Sequence, residues 1–101
     1  MALANVQEYD KDVQFQIGQR IQKARINKGI AGVDLAAYLN IGKNQLSRIE
    51  NGRAKCNLSQ LFVLAQVLEC SADYLLFGTR NTIYSQEQVD AIKVLLAAFA
   101  K

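Results

Sequence analysis

Residues 41–52 read IGKNQLSRIENG, and we expect the rest of the chain to hold this stretch in place. As a helix over residues 43–51 it places Leu46 and Ile49 on one side, while its other side carries amides, a hydroxyl and cations. Gly52 is placed to take the left-handed conformation that commonly ends a helix. Such a helix can lie in the DNA major groove, where base edges offer donors and acceptors, or it can be an ordinary solvated surface helix. The segment alone leaves both interpretations open.

The composition around this stretch favours a single all-α domain. The chain has 101 residues, of which 50% are hydrophobic and none is proline. Helix-forming residues dominate over β-branched runs, which is typical of helical bundles. A domain of this length can bury a hydrophobic core without disulfides or metals. We therefore expect an all-α fold.

The positive charge of the chain is concentrated at the quoted stretch and just after it. The net charge is +3, and within residues 41–56 four cations stand against Glu50 alone. These cations are Lys43, Arg48, Arg53 and Lys55. Residues 1–40 and 69–101 are each nearly balanced in charge. The pattern predicts a local binding surface for a polyanion.

Several classes of function are disfavoured by what the sequence lacks. There is no histidine, and Cys56 and Cys70 do not have the C-x-x-C spacing of zinc or redox motifs. We therefore expect free thiols, no metal site and no cofactor. No activated serine or cysteine constellation and no glycine-rich phosphate loop is present, so we do not expect an enzyme. The longest uncharged run, residues 56–68, is too short to span a bilayer, and we expect a cytoplasmic protein without a membrane contact.

Apolar spacing and capping residues predict two helices before the quoted stretch. The first begins at an N-cap, Asp12, and ends near Lys28, where Gly29 stops it. Its core stripe follows helical spacing: Val13, Ile17, Ile21 and Ala24. The second runs from about Gly32 to Leu39 and ends at Asn40, which can adopt the left-handed conformation. Two short helices joined by so few residues predict a helix-turn-helix arrangement.

Three more helices are predicted after the quoted stretch. Asn57 and Gln60 form a capping pair for a helix from Leu58 to about Glu69, in which Phe62 extends the apolar stripe and should be buried. Ser71 caps a fifth helix that ends before Gly78. A capping box at residues 85–88 starts an additional C-terminal helix, whose apolar stripe consists of Val89, Ile92, Leu95, Leu96 and Phe99. The predicted organisation is a flexible arm (1–11), a DNA-binding domain (12–79) and a C-terminal helix (80–101).

Four stretches in register resemble the lambda repressor/Cro-like (XRE-type) helix-turn-helix family of transcriptional regulators. They are IGQRIQKAR (17–25), DLAAYLNI (34–41), LSRIENG (46–52), and LFVLAQVL (61–68) followed by SADYLLFG (71–78). The resemblance spans residues 17–78 and implies a five-helix DNA-binding bundle. It also implies that the helix at residues 43–51 is the recognition helix.

The resemblance assigns residues of this chain to double-stranded DNA. The implied base contacts are Lys43, Asn44, Ser47 and Arg48. The implied phosphate contacts are Gly42, Gln45, Asn51, Arg53 and Lys55. Side-chain chemistry agrees, because an arginine can pair bidentately with guanine and an asparagine with adenine.

The resemblance also implies a structural ion pair between Arg25 and Glu50, which would fix the recognition helix on the first helix. Three positions depart from the family pattern, one of which is Gly42 at the cap of the recognition helix, where Ser or Thr is commoner. Where the family usually starts its second helix with a polar cap and a bracing glutamine, this chain has Ala31 and Gly32. The brace is therefore missing.

Two functional hypotheses follow. The first is a sequence-specific transcriptional regulator, a repressor, which binds a palindromic operator as a homodimer. The predicted dimer contact is the C-terminal apolar stripe, although the same helix could instead fold back over Phe15 and Ile26 of its own chain. The second is a protein-interaction module of the antitoxin type, which binds a toxin or another regulator and also represses its own operon.

Overall fold

A computed structural model describes residues 6–78, 94–95 and 97–98 of the chain. It contains five helices: α1 (Lys11–Lys28), α2 (Gly32–Tyr38), α3 (Lys43–Glu50), α4 (Leu58–Val67) and α5 (Ala72–Phe77). No strand occurs among the described residues. The expected all-α, five-helix fold is therefore confirmed. The predicted C-terminal helix lies largely outside the described residues, and within it residues 94–95 and 97–98 are helical.

The helix ends follow from local capping chemistry. The side chain of Asp10 accepts a hydrogen bond from Val13 N, so Asp10 caps α1 and the predicted cap, Asp12, is wrong. Asn57 and Gln60 form the expected reciprocal capping box of α4. Asn40 ends the α2 region with φ 56°, as its side chain allows.

One hydrophobic core joins all five helices. Its members are Ile17, Ile21, Leu35, Ala36, Leu39, Leu46, Ile49, Leu61, Leu64, Leu68 and Leu75. Each large side chain of this kind contributes about 1.5–3 kcal/mol when it is fully removed from water. Phe62 is 70% exposed, so the prediction that it is buried is wrong. It lies on the side of α4 that no described element covers, because α4 buries only the side carrying Leu61, Leu64 and Leu68.

The fifth helix is tied to the first by Arg20. Its Nη1 donates to the carbonyl oxygens of Leu75 (3.2 Å) and Leu76 (3.0 Å), which lie in the last turn of α5. These carbonyls lack partners within the helix, so a cation satisfies them well. At the other end of α1, Lys28 pairs with Glu69 after α4.

No helix among the described residues is both long and apolar enough to cross a membrane.

Candidate nucleic-acid interface

The third helix is buried on one side and open on the other. Leu46 and Ile49 are each 1% exposed and sit in the core. The opposite side is formed by exposed polar residues: Lys43, Asn44, Gln45, Ser47 and Arg48. The structure thus places every residue assigned to base contacts, together with Gln45, on one exposed helical surface. This surface can present amide, hydroxyl and guanidinium groups to a ligand.

The amino-terminal end of α3 is also open. Gly42 is its N-cap (φ −77°, ψ 159°) and provides no side-chain cap. The first backbone N–H groups of a helix have no partner within it, and they carry a positive partial charge. Because Gly42 and Lys43 are exposed, these N–H groups and the ammonium of Lys43 can meet an anion such as a phosphate.

The basic loop after α3, residues 53–55, is held by its own backbone. The N–H groups of Arg53 and Ala54 both donate to Arg48 O, at 2.8 and 3.2 Å. The side chains of Arg53 and Lys55 remain exposed. The loop therefore has a defined path that leaves both cations available.

A further cation, not predicted from the sequence, lies at this loop. Lys11, Arg53 and Lys55 line one groove of about 400 Å³, together with Tyr9, Asp10, Gln14 and Ala54. The ammonium of Lys55 lies 5.6 Å from the centre of the Tyr9 ring, within range of a cation–π contact. Lys11 was assigned to a flexible arm, because the sequence places no periodic pattern before residue 12. In the structure it is the first residue of α1.

Asn51 adopts an arrangement that bears on its assigned phosphate contact. Its amide nitrogen donates to Ser47 O (2.9 Å) and lies 3.3 Å from Ser47 Oγ. The donor side of the amide therefore faces Ser47, and the amide oxygen is left for a ligand. A phosphate needs a donor, so Asn51 has to turn its side chain to hold one. As it stands, Asn51 orients Ser47.

An ion pair joins α1 to the end of α3. Arg25 Nε lies 2.8 Å from Glu50 Oε2, and Arg25 Nη2 lies 3.2 Å from Glu50 Oε1. Gln22 also donates to Glu50 Oε1 at 3.4 Å. Glu50 is only 3% exposed, and the hydrogen bond to it raises the pKa of Arg25, although partial burial of the guanidinium opposes this. The structure thus satisfies a buried carboxylate with the fork geometry that arginine provides.

Close backbone packing supplements this ion pair. A Cβ atom added at Gly18 would lie 2.6 Å from Glu50 O and closer still to Ile49 O. On either side of this contact, α1 glutamines donate to α3 carbonyls: Gln19 Nε2 to Glu50 O (2.9 Å) and Gln14 Nε2 to Gly52 O (2.8 Å). These contacts were not predicted from the sequence. A glycine inside an amphipathic helix signals a close approach of this kind, whereas the glutamines give no such signal.

The two cysteines lie at opposite ends of α4. Both thiols are free. Burial raises the pKa of Cys56 to about 11 and also raises the pKa of Cys70. Both are therefore protonated and poorly reactive at neutral pH. Among the residues that the structure describes, no cluster of acidic, cysteine or histidine side chains could hold a metal ion.

Comparisons with known proteins agree with this geometry. The family model described as helix-turn-helix matches residues 21–75. The SPbeta prophage-derived HTH-type transcriptional regulator YonR of Bacillus subtilis (strain 168) is 30% identical over 82 residues, which cover 81% of this chain and 76% of YonR. The HTH-type transcriptional regulator DicA of Escherichia coli (strain K12) is 35% identical over 65 residues, 64% of this chain and 48% of DicA.

A solved structure shares the fold. The SinR protein/SinI protein complex matches 84% of this chain and 82% of its own matching chain, with a TM-score of 0.55 and 27% sequence identity. The family match, over residues 21–75, includes α2 and α3 and therefore supports their assignment as the helix-turn-helix.

Proposed function

The chain belongs to the XRE-type helix-turn-helix family of transcriptional regulators, and we propose that it is a cytoplasmic repressor that binds a palindromic operator as a homodimer. The observation that carries the proposal is the exposed polar surface of α3 opposite a fully buried side. The relatives are regulators, so the expectation that the chain is not an enzyme is confirmed. Residues 43–51 are the proposed recognition segment.

The proposed base contacts are made by four side chains of α3: Lys43, Asn44, Ser47 and Arg48. Arg48 is exposed, and its fork can pair with guanine O6 and N7. Asn44 lies one turn before it and can pair with adenine N6 and N7. Ser47 accepts from Asn51, which leaves its hydroxyl hydrogen free to donate to a base or phosphate.

The proposed phosphate contacts lie around the four side chains proposed to contact bases. They are Gly42, Gln45, Asn51 (once its side chain turns away from Ser47), Arg53 and Lys55, and we add Lys11, because it lines the same groove as Arg53 and Lys55. Phosphate contacts set position and affinity but carry no sequence information themselves. Because these contacts lie at both ends of α3, they would hold the helix between the two walls of the DNA major groove.

A homodimer would place two recognition helices in successive major grooves, about 34 Å apart. The proposed contact is the C-terminal stripe, of which Val89, Ile92, Leu96 and Phe99 lie outside the described residues. The remaining member, Leu95, is helical and 57% exposed in the single chain. Such exposure is compatible with a contact to a second copy.

The readout of bases is tested with Arg48→Ala. DNA fragments that bind the native chain are first selected from random sequence, and affinities are then measured for duplexes that differ at single base pairs. We expect the variant to lose preference at one base pair per half-site, by about 1–3 kcal/mol. Arg53→Ala, a proposed phosphate contact, should weaken binding to all duplexes alike. If Arg48→Ala behaves like Arg53→Ala, the role proposed for Arg48 is wrong.

The dimer contact is tested with Leu95→Glu and its neighbour Val94→Glu. Val94 is 71% exposed and does not belong to the predicted stripe. Sedimentation equilibrium should show a dimer for the native chain and for Val94→Glu, and a monomer for Leu95→Glu. A dimeric Leu95→Glu variant would place the contact elsewhere.

A second candidate function is a protein-interaction module of the antitoxin type. The observation that favours it is the match to a chain of the SinR protein/SinI protein complex, in which a similar protein is bound to another protein. The salt dependence of binding distinguishes the two candidate functions. DNA affinity falls steeply with salt, with a slope close to the number of phosphates neutralised, whereas binding to a toxin should change far less.

A further inference from the structure

The first helix completes the hydrogen bonding at the carboxyl end of α3. The last carbonyl groups of a helix have no partner within it. Here the backbone N–H groups of residues 51–54 donate to the carbonyls of Ser47, Arg48 and Ile49. The carbonyls of Glu50 and Gly52 receive their hydrogen bonds from Gln19 and Gln14 instead. Side chains of α1 therefore satisfy the carbonyls that the backbone leaves open.

The second helix makes no such contact. No side-chain hydrogen bond joins Gly32–Tyr38 to Lys43–Glu50, both of which are fully described. These two helices meet through apolar side chains: Leu35, Ala36 and Leu46. Apolar burial is non-directional, so burying Leu46 and Ile49 sets the rotation of α3 about its axis only coarsely. The hydrogen bonds of Gln14 and Gln19, at 2.8 and 2.9 Å, are directional and, together with the Arg25–Glu50 pair, set this rotation more closely.

We propose that Gln14 and Gln19 are positioning residues for sequence recognition, an inference that rests on the proposed function. Together with the Arg25–Glu50 pair, they hold the carboxyl end of α3 at one tilt and rotation, and thereby help to set where Asn44 and Arg48 meet the base edges. A hydrogen bond to a base is lost when its atoms move by about 1 Å. The attraction of cations to phosphates acts over a longer range and is little changed by the same movement. Loss of the two glutamine contacts should therefore reduce discrimination between sequences more than affinity for DNA in general.

The test compares Gln14→Met/Gln19→Met with Gln16→Met in the full chain. Methionine removes the donor without changing charge and has a similar helix propensity. Gln16 is the matched control, because its side chain bonds only to Asp12 and Arg20 within α1. Dissociation constants are measured for the duplex that the native chain selects from random DNA and for a scrambled duplex of the same length and composition.

Specificity is expressed as the dissociation constant for the scrambled duplex divided by that for the selected duplex. We expect this ratio to fall about tenfold in the double variant, while the constant for the scrambled duplex changes less than about twofold. The control should keep the native ratio. A smaller folded fraction scales both constants equally and leaves the ratio unchanged, so a purely structural role of the glutamines would not move it. If the double variant does not fold, Gln19→Met alone provides the measurement.

An unchanged ratio in the folded variant would overturn this inference. Failure of the native chain to select any sequence would instead refute the proposed function. The two failures are therefore distinguishable within one experiment.

Discussion

The contact at Gly18 makes a sharp prediction about stability. A Cβ atom there would lie 2.6 Å from Glu50 O and 2.8 Å from Glu50 C, whereas ordinary contact begins at 3.4 Å. Because Ile49 O would be closer still, Gly18→Ala requires the end of α3 to move away from α1 by more than about 0.8 Å. That movement would stretch the hydrogen bonds of Gln19 and Gln14, which are 2.9 and 2.8 Å long, beyond useful length.

The magnitude follows from three opposing effects. Alanine is favoured over glycine inside a helix by about 1 kcal/mol. Overpacking of a close contact costs about 1–3 kcal/mol, and the two hydrogen bonds contribute about 1 kcal/mol each. The free energy of unfolding should therefore fall by about 3 kcal/mol, which lowers Tm by about 12–24 °C in a domain of this size.

The assay is thermal and urea unfolding followed by circular dichroism at 222 nm. Gly32→Ala is the matched control, because Gly32 is also helical and the nearest atom to an added Cβ, Arg25 Cζ, lies 4.0 Å away. Its stability should be unchanged or raised. A Gly18→Ala variant that is as stable as the native chain would refute the close packing of α1 on α3.

Three further predictions concern charges and thiols. Lys11→Met should lower the slope of log affinity against log salt by about 0.9, the effect of one phosphate contact, whereas Lys23→Met, outside the groove, should leave the slope unchanged. Arg25→Met should lower the free energy of unfolding in urea by about 3–5 kcal/mol, because Glu50 stays buried without its partner; a loss below about 1 kcal/mol would contradict this. Burial raises the pKa of Cys56 to about 11 from 9.0, so the folded chain holds this proton more tightly than the unfolded chain. The resulting stability should be complete below pH 9 and be lost as the pH rises through about 11, a decline that urea midpoints should show to be shallower in Cys56→Ala.

Local rules predicted most of the fold. The bounds of α3 were predicted to within one residue. The signals used were the spacing of Leu46 and Ile49 and the left-handed glycine after them, and each of these depends only on residues within one helical turn. The capping boxes are equally local, and Asn57 with Gln60 formed as expected. The cap of α1 was wrong because Asp10 and Asp12 are both good caps, and the choice depends on where the preceding chain turns.

The features that were not predicted from the sequence depend on contacts between residues far apart in the chain. Phe62 falls within a strongly apolar run, yet burial requires a neighbouring element on that side, and a single sequence does not reveal how the other helices pack around α4. Gln14 and Gln19 bind main-chain carbonyls more than thirty residues away. Main-chain carbonyls are present at every residue, so no residue type marks the partner. Lys11 lies beside the basic loop only because α1 packs against the end of α3.

Anchoring α3 through its buried side and its backbone carbonyls leaves its exposed side chains free to diverge during evolution. The side chains of Lys43, Asn44 and Arg48 take part in no hydrogen bond or ion pair within the described chain. Substitutions at these positions are therefore nearly neutral for folding. Duplicated genes with this scaffold could acquire new operator preferences in single steps, without first gaining a stabilising mutation elsewhere.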